Sequence, residues 1–151
     1  MDGAAGIIRD ETGTQRTLGY VLDVGRGDGR ARCTLDVTER HGNRHDGFHG
    51  GLAAVMLDNA MSATASLSVD PSGRHPFATI SMHVQFLAPA RIGARLTATG
   101  RVSGGGRSIV FVDGELVDEA GTTIATASGA FKRSRTATAG DVPDAPPART
   151  T

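Results

Sequence analysis

The stretch from Asn43 to Leu67, NRHDGFHGGLAAVMLDNAMSATASL, constrains the fold of this 151-residue chain more than any other. A polar loop broken by glycine leads into His49, Gly50 and Gly51, and then into a run of small and apolar residues. Leu52, Val55, Met56, Ala60, Ala63 and Leu67 recur there at helical spacing, and Ala53, Ala54 and Ala65 leave the other faces nearly apolar. A helix that is apolar on every side belongs in an interior. The spacing predicts a helix over about residues 50–68, ended by Asp70, Pro71, Ser72 and Gly73. Its one carboxylate, Asp58, is costly to bury unless something pairs with it or uses it.

The segments around this helix read as strands. Leu18–Val24 and Ala31–Val37 flank a GRGDG turn cluster whose glycine spacing does not fit a dinucleotide fingerprint. After the helix, Ala78–Leu87 alternates, with Ile80, Met82, Val84 and Phe86 on one face and Thr79, Ser81, His83 and Gln85 on the other. Arg95–Val102, Ser108–Val117 and Thr123–Phe131 complete the set. Two strands, one buried helix and four more strands make an α+β protein with an antiparallel sheet. A helix of this kind requires the sheet to curl round it, and a second subunit to cover what the sheet does not reach. Residues 1–16 are expected to be a flexible start, 17–133 the folded domain, and 134–151, rich in Thr, Ala, Pro and Asp, a disordered tail.

Composition excludes several classes. Lys+Arg and Asp+Glu are both 16, so no basic surface points to nucleic acid. The first residues lack a signal peptide, and no apolar stretch is bulky enough to span a bilayer. Cys33 is the only cysteine, which points to a reducing, cytoplasmic setting. The modest apolar fraction, 38% and much of it alanine, favours an oligomer.

Gly50 and Gly51 open the helix, where backbone N–H groups lack internal partners and the dipole adds partial positive charge. That is an oxyanion site if a ligand approaches, or simply relief of crowding where the loop enters the helix. Asp58 is either a functional acid or a structural one bonded to a neighbouring hydroxyl or arginine. Eight residues separate Gly50 from Asp58, about 12 Å at 1.5 Å per residue. One helix therefore cannot bring both to one carbonyl, and a shared site needs two copies of the chain. His41, His45 and His49 fall four apart, but Gly42, Asn43 and Gly47 break any helix there and no cysteine or glutamate completes a metal set. His75 and His83 read as surface residues, and Cys33 as a small buried strand residue. No Gly-x-Ser-x-Gly elbow or P-loop is present.

In these residues the chain resembles the hotdog-fold thioesterases, and among them the phenylacetate-degradation (PaaI-like) branch of the acyl-CoA thioesterases. Asn43, then His49-Gly50-Gly51, then Asp58 nine residues past the histidine carry the resemblance, with residues 78–102 and 106–132 fitting the later strands. The resemblance implies a hotdog fold, a curved antiparallel sheet wrapped around one central helix, in a homodimer joined sheet edge to sheet edge and often paired again into a tetramer. It implies hydrolysis of an acyl-CoA or acyl-carrier-protein thioester at two interfacial sites, with no metal and no cofactor beyond the CoA of the substrate. The Gly50 N–H would hold the oxyanion, and Asp58 of the partner chain would act as base or nucleophile. His49 and Asn43 would position the thioester and the first helical turn, Thr79 would orient water, and Gly51 would line the substrate. CoA phosphates would meet Gly106, Arg107 and Ser108, or Lys132 and Arg133, unless that turn is merely solvated. Superfamily members that bind acyl thioesters without turnover, or act as hydratases or dehydratases, are the alternatives.

Overall fold

The computed structural model describes residues 5–135. The chain forms β1 (Ile7–Ile8), α1 (Gly13–Leu18), β2 (Val21–Asp23), β3 (Arg32–Asp36), a 3-10 turn (Glu39–His41), α2 (Gly50–Leu67), β4 (Phe77–Phe86), β5 (Arg95–Gly105), β6 (Ile109–Val117) and β7 (Thr123–Arg133). The seven strands make one antiparallel sheet in the order β1-β2-β3-β5-β6-β7-β4. The sheet wraps α2, as a hotdog fold requires. No helix among the described residues is long and apolar enough to cross a membrane.

Glycines set how closely helix and sheet approach. Gly100 on β5 and Gly114 on β6 are paired across the ladder. A Cβ on Gly100 would lie 2.3 Å from Thr64 Oγ1 and 2.9 Å from the Ala60 carbonyl oxygen. On Gly114 it would lie 2.7 Å from Met61 Sδ, and on Gly129 of β7 3.3 Å from Met61 Cε. The helix answers with small or flexible residues. Ala60 and Thr64 sit over Gly100, and Thr64 Oγ1 donates to the Ala60 carbonyl at 2.7 Å and accepts from the Ala31 N–H at 3.0 Å. Met56, Leu57, Met61, Leu96, Leu116 and Phe131 supply most of the fully buried bulk.

The helix is not evenly buried. Ala53, Met56, Leu57, Ala60, Met61 and Ala63–Ser66 are enclosed, whereas Leu52, Ala54, Val55, Asp58, Asn59 and Ser62 are half-buried along the face the sheet does not reach. Asp58 is thus not the enclosed acid that the composition suggested.

The start of the chain departs from expectation as well. Residues 7–8 add a short strand to β2, and 13–18 form a helix where none was expected. Leu18 ends that helix instead of opening a strand. Thr12 Oγ1 accepts from the Gln15 N–H at 3.1 Å, Gly19 closes the helix in the left-handed region (φ 85°), and buried Gln15 donates to the Ile8 carbonyl at 3.0 Å. Of the expected tail, only Ser134 and Arg135 fall within the described residues.

Replacing Gly100 by alanine should test the close approach. The new methyl meets a helix carbonyl, which cannot swing away, so the variant should lose about 1–3 kcal/mol in urea unfolding. Unchanged stability would show that the helix is less tightly seated.

Candidate active site

Two clusters form along α2, one at each end of β4. At the first, Thr79 Oγ1 donates to Asp58 Oδ1 at 2.6 Å. The sequence alternation put Thr79 on the face opposite Met82 and Val84. The structure corrects this with a β-bulge. Thr79 pairs with Phe131 and Ser81 with Ala130, so Ile80 has no partner on β7. One extra residue shifts the phase of the strand, and Thr79 and Met82 both face the helix although they stand three apart. Ile80, 53% exposed, takes the outward position. Only one Asp58 oxygen receives this bond; among the described residues Oδ2 accepts none. Behind it, buried Tyr20 donates to Asn59 Oδ1 at 3.2 Å, and Asn59 Nδ2 donates to the Val55 carbonyl at 2.8 Å. Burial holds the Tyr20 phenol above its ordinary pKa, so it remains a hydrogen-bond donor.

The second cluster surrounds the helix start. His49 is the N-cap, and its Nδ1 accepts from the Gly51 N–H at 2.9 Å. The imidazole leaves no room for a side chain at 51, since a Cβ on Gly51 would lie 3.0 Å from His49 Cε1. Among the described residues the Gly50 N–H has no partner. Gly50 lines a cleft of about 420 Å³ together with Phe48, Ala53, Phe86 and Leu87. Phe86 is 60% exposed and lies over Gly50, 3.2 Å from where a Cβ would be. Asn43 reaches the same cleft. Its Oδ1 accepts from the His45 N–H at 2.8 Å and the Gly47 N–H at 3.1 Å, which folds the 43–47 loop. The Asn43 amide nitrogen remains for a ligand.

His41 is explained by structure. His41 is buried; Nδ1 accepts from the Thr38 N–H at 2.9 Å, so the proton is on Nε2, which donates to the Leu18 carbonyl at 2.7 Å. His41 thereby ties α1 to the loop before α2. Among the described residues no group of His, Cys, Asp and Glu is arranged to hold a metal ion. Cys33 is fully buried with its thiol pKa pushed up by desolvation, so it is no nucleophile.

Some expected residues do not meet. Gly50 and Gly51 stand with Asn43, His49 and the Phe86 cleft, while Asp58 stands with Thr79 two turns further on. Gly106, Arg107 and Ser108 turn from β5 into β6 beside Ser68 and Val69, past the far end of α2. Within one chain the helix rise keeps them about 25 Å from Gly50. Sequence reasoning missed the Phe86–Leu87 wall; the signal was two bulky residues running into Ala88-Pro89 at the end of a half-buried strand.

The thioesterase superfamily's sequence profile matches residues 46–125, more than half of the chain. The chain belongs to the thioesterase superfamily. Its relatives include human acyl-coenzyme A thioesterase 13, 29% identical over 106 residues that cover 70% of this chain and 74% of that one. Among solved structures, the Escherichia coli PaaI protein of the phenylacetic acid degradation operon is similar with a TM-score of 0.71 and 26% identity, covering 83% of this chain and 86% of that one. Zebra fish thioesterase superfamily member 2 gives a TM-score of 0.69 and 26% identity, over 83% of this chain and 89% of that one. Gly50, Gly51, His49, Phe86, Asp58 and Thr79 of this thioesterase fall within the matched segment, and Asn43 lies three residues before it.

The bulge yields a specific expectation. Deleting Ile80 leaves Thr79 two residues before Met82 and still opposite Phe131, so Thr79 stays on the helix face and thioester cleavage should survive within about tenfold. Thr79→Val, which removes the donor to Asp58, should lower it about 10²-fold. Equal rates for the two variants would show that the Thr79 bond does not serve the site.

Proposed function

We propose that this thioesterase hydrolyses an acyl-CoA thioester at a site shared by two chains. The observation that carries the reading is the separation of the two clusters along α2. The unpartnered Gly50 N–H stands at one end of β4 and the Thr79–Asp58 pair at the other, about 12 Å apart by helix rise.

A two-fold axis through the middle of β4 resolves that separation. β4 is an edge of the sheet, ten residues long, with a free row of backbone donors and acceptors. Long unprotected edges are templates for pairing with another chain. Antiparallel pairing of β4 with its own copy about its midpoint, between Ser81 and Met82, sets Thr79 opposite the partner's Val84, two residues from Phe86. Opposed residues lie roughly 5 Å apart at Cβ, so each Asp58 comes to the helix start of the other subunit. The same pairing covers Phe86 and Leu87, which are 60% and 58% exposed in the single chain. The two-fold makes two equivalent sites.

In each site the thioester carbonyl oxygen lies at the Gly50 N–H, at the positive end of α2. Asn43 and His49 orient the thioester and the first turn, the acyl group enters the cleft beside Gly51 and Phe86, and the partner's Asp58 takes a proton from water through the oxygen that Thr79 leaves free. The water oxygen bonds to the carbonyl carbon, and charge collects on the carbonyl oxygen against the helix amide. The C–S bond then breaks, and the thiolate takes up the proton held by Asp58. One oxyanion donor of this kind is worth about 10²–10³ in rate. No metal or organic cofactor enters the scheme. Cys33 with its buried thiol suits a reducing, cytoplasmic setting.

The test is thiol release from a panel of short, long and aromatic acyl-CoAs, with Asp58→Asn as the control. The amide keeps the shape and accepts from Thr79, but it cannot take a proton. We expect kcat to fall at least 10²-fold with the melting temperature within a few degrees of the parent. A fall of less than tenfold would make Asp58 structural. Tight binding of one acyl-CoA with no thiol released from any would make the protein a binder.

A further inference from the structure

Asn43, His49 and Gly50 are carried by one small hairpin. The His49 N–H donates to the His41 carbonyl at 3.0 Å, Gly42 pairs antiparallel with Phe48, and the Asn43 N–H donates to the Gly47 carbonyl at 2.7 Å. The pairings run in step, 41 with 49, 42 with 48 and 43 with 47. His45 is at the exposed tip, so the even spacing of the three histidines marks the two feet and the tip of a hairpin. Its two arms fix how the Asn43 amide stands relative to the free Gly50 N–H. A two-stranded hairpin is marginal by itself, so each arm has to be held from outside.

The second arm rests on the segment after β4. The Phe48 N–H donates to the Ala90 carbonyl at 2.9 Å, and Gly47 is bridged to Arg91. The first arm, which bears Asn43, rests on the ring of His41. That residue is 2% exposed. Its ring grips two backbone groups that cannot swing away: the Thr38 N–H at 2.9 Å and, on the opposite side, the Leu18 carbonyl at 2.7 Å. Thr38 and His41 form a capping box across the 3-10 turn, a place where glutamate or glutamine is the usual residue. A carboxylate would serve Thr38 alone, having no donor for the Leu18 carbonyl. The imidazole serves both, and so locks the Asn43 arm to α1 and to the 3-10 turn at once.

We propose that His41 is a positioning residue for thioester cleavage: without touching substrate, its buried ring sets where the Asn43 amide and the Gly50 N–H stand. This rests on the reading of Asn43 and Gly50 as one half of the site. The first test compares His41→Phe, a ring with neither bond, with His41→Gln, whose amide can accept from Thr38 and donate to Leu18. Per folded chain, His41→Phe should lower kcat about 10²-fold with KM within about threefold, and His41→Gln should keep kcat within about threefold of the parent. A residue that only holds the fold would lower the melting temperature and leave kcat of the folded chain unchanged. That result, or equal losses of kcat in the two variants, would overturn the proposal.

Subunit mixing then shows which half of the site the ring serves. His41→Phe refolded with Asp58→Asn should regain about a quarter of the parent activity, because one site in each mixed dimer is intact. Refolded with Asn43→Asp it should regain none, because every helix start is damaged. Recovery with both or with neither, while Asn43→Asp and Asp58→Asn recover together, would overturn the proposal. If that last pair does not recover, the two-chain reading falls instead, and the kcat comparison alone decides the role of His41. Where His41→Phe does not fold, His41→Asn, which has no atom in the place of Nε2, takes its part in both experiments with the same expected results.

Discussion

Much of this structure follows from how closely α2 is drawn to the sheet. Gly100 and Gly114 lie paired beneath it, and there is no space at either for a single added carbon. Contact that close lets a helix built of alanine and small polar residues bury enough surface to be held without large side chains. It also fixes which face of the helix the sheet cannot cover. Asp58, Asn59, Val55 and Ser62 lie on that open face. The carboxylate is therefore held firmly by Thr79 from the sheet side while remaining reachable from the other. A fully enclosed acid would bear the desolvation cost with no access to water or substrate.

The same rigidity divides the chemistry. An α-helix is an inflexible spacer, so the positive end of α2 and its acid cannot approach one another. In the proposed site neither half is a catalyst alone. The first offers an amide donor and an apolar cleft with no base, and the second offers a base with no oxyanion donor. β4 runs past both, and its free edge is what a two-fold partner would pair with. Under the proposed two-chain site, fold, pairing and catalysis depend on one strand, whose bulge aims Thr79 inward.

The helix, the sheet class and the position of Asp58 were legible because they are written in periodicity: 3.6 for α2, two for the strands. The glycine-opened helix start was legible for the same reason. The bulge was not. ISMHVQF reads as unbroken alternation, and pairing with β7, remote in sequence, decides that Ile80 goes unmatched. The exposure of Asp58 was hidden too, since an all-round apolar pattern does not say which face a curved sheet leaves bare. α1 was overlooked because six residues carry no apolar period, although Thr12 followed three residues later by Gln15 is a helix-start spacing that could have revealed it. The role of His41 was masked by its regular spacing from His45 and His49, whereas its partners, Thr38 and the Leu18 carbonyl, lie in the loop and in α1.

The shared site is the central claim, and subunit mixing tests it most directly. Asn43→Asp keeps the oxygen that folds the 43–47 loop but loses the amide donor, and it damages the helix-start half. Asp58→Asn damages the other half. Each variant alone should be nearly inactive. Unfolded and refolded together, they form mixed dimers with one doubly damaged site and one intact site. With random mixing and independent sites, activity should return to about a quarter of the parent. If each site lay within one chain, every site would keep a lesion. No recovery, with subunit exchange confirmed by a mass tag, would contradict the account.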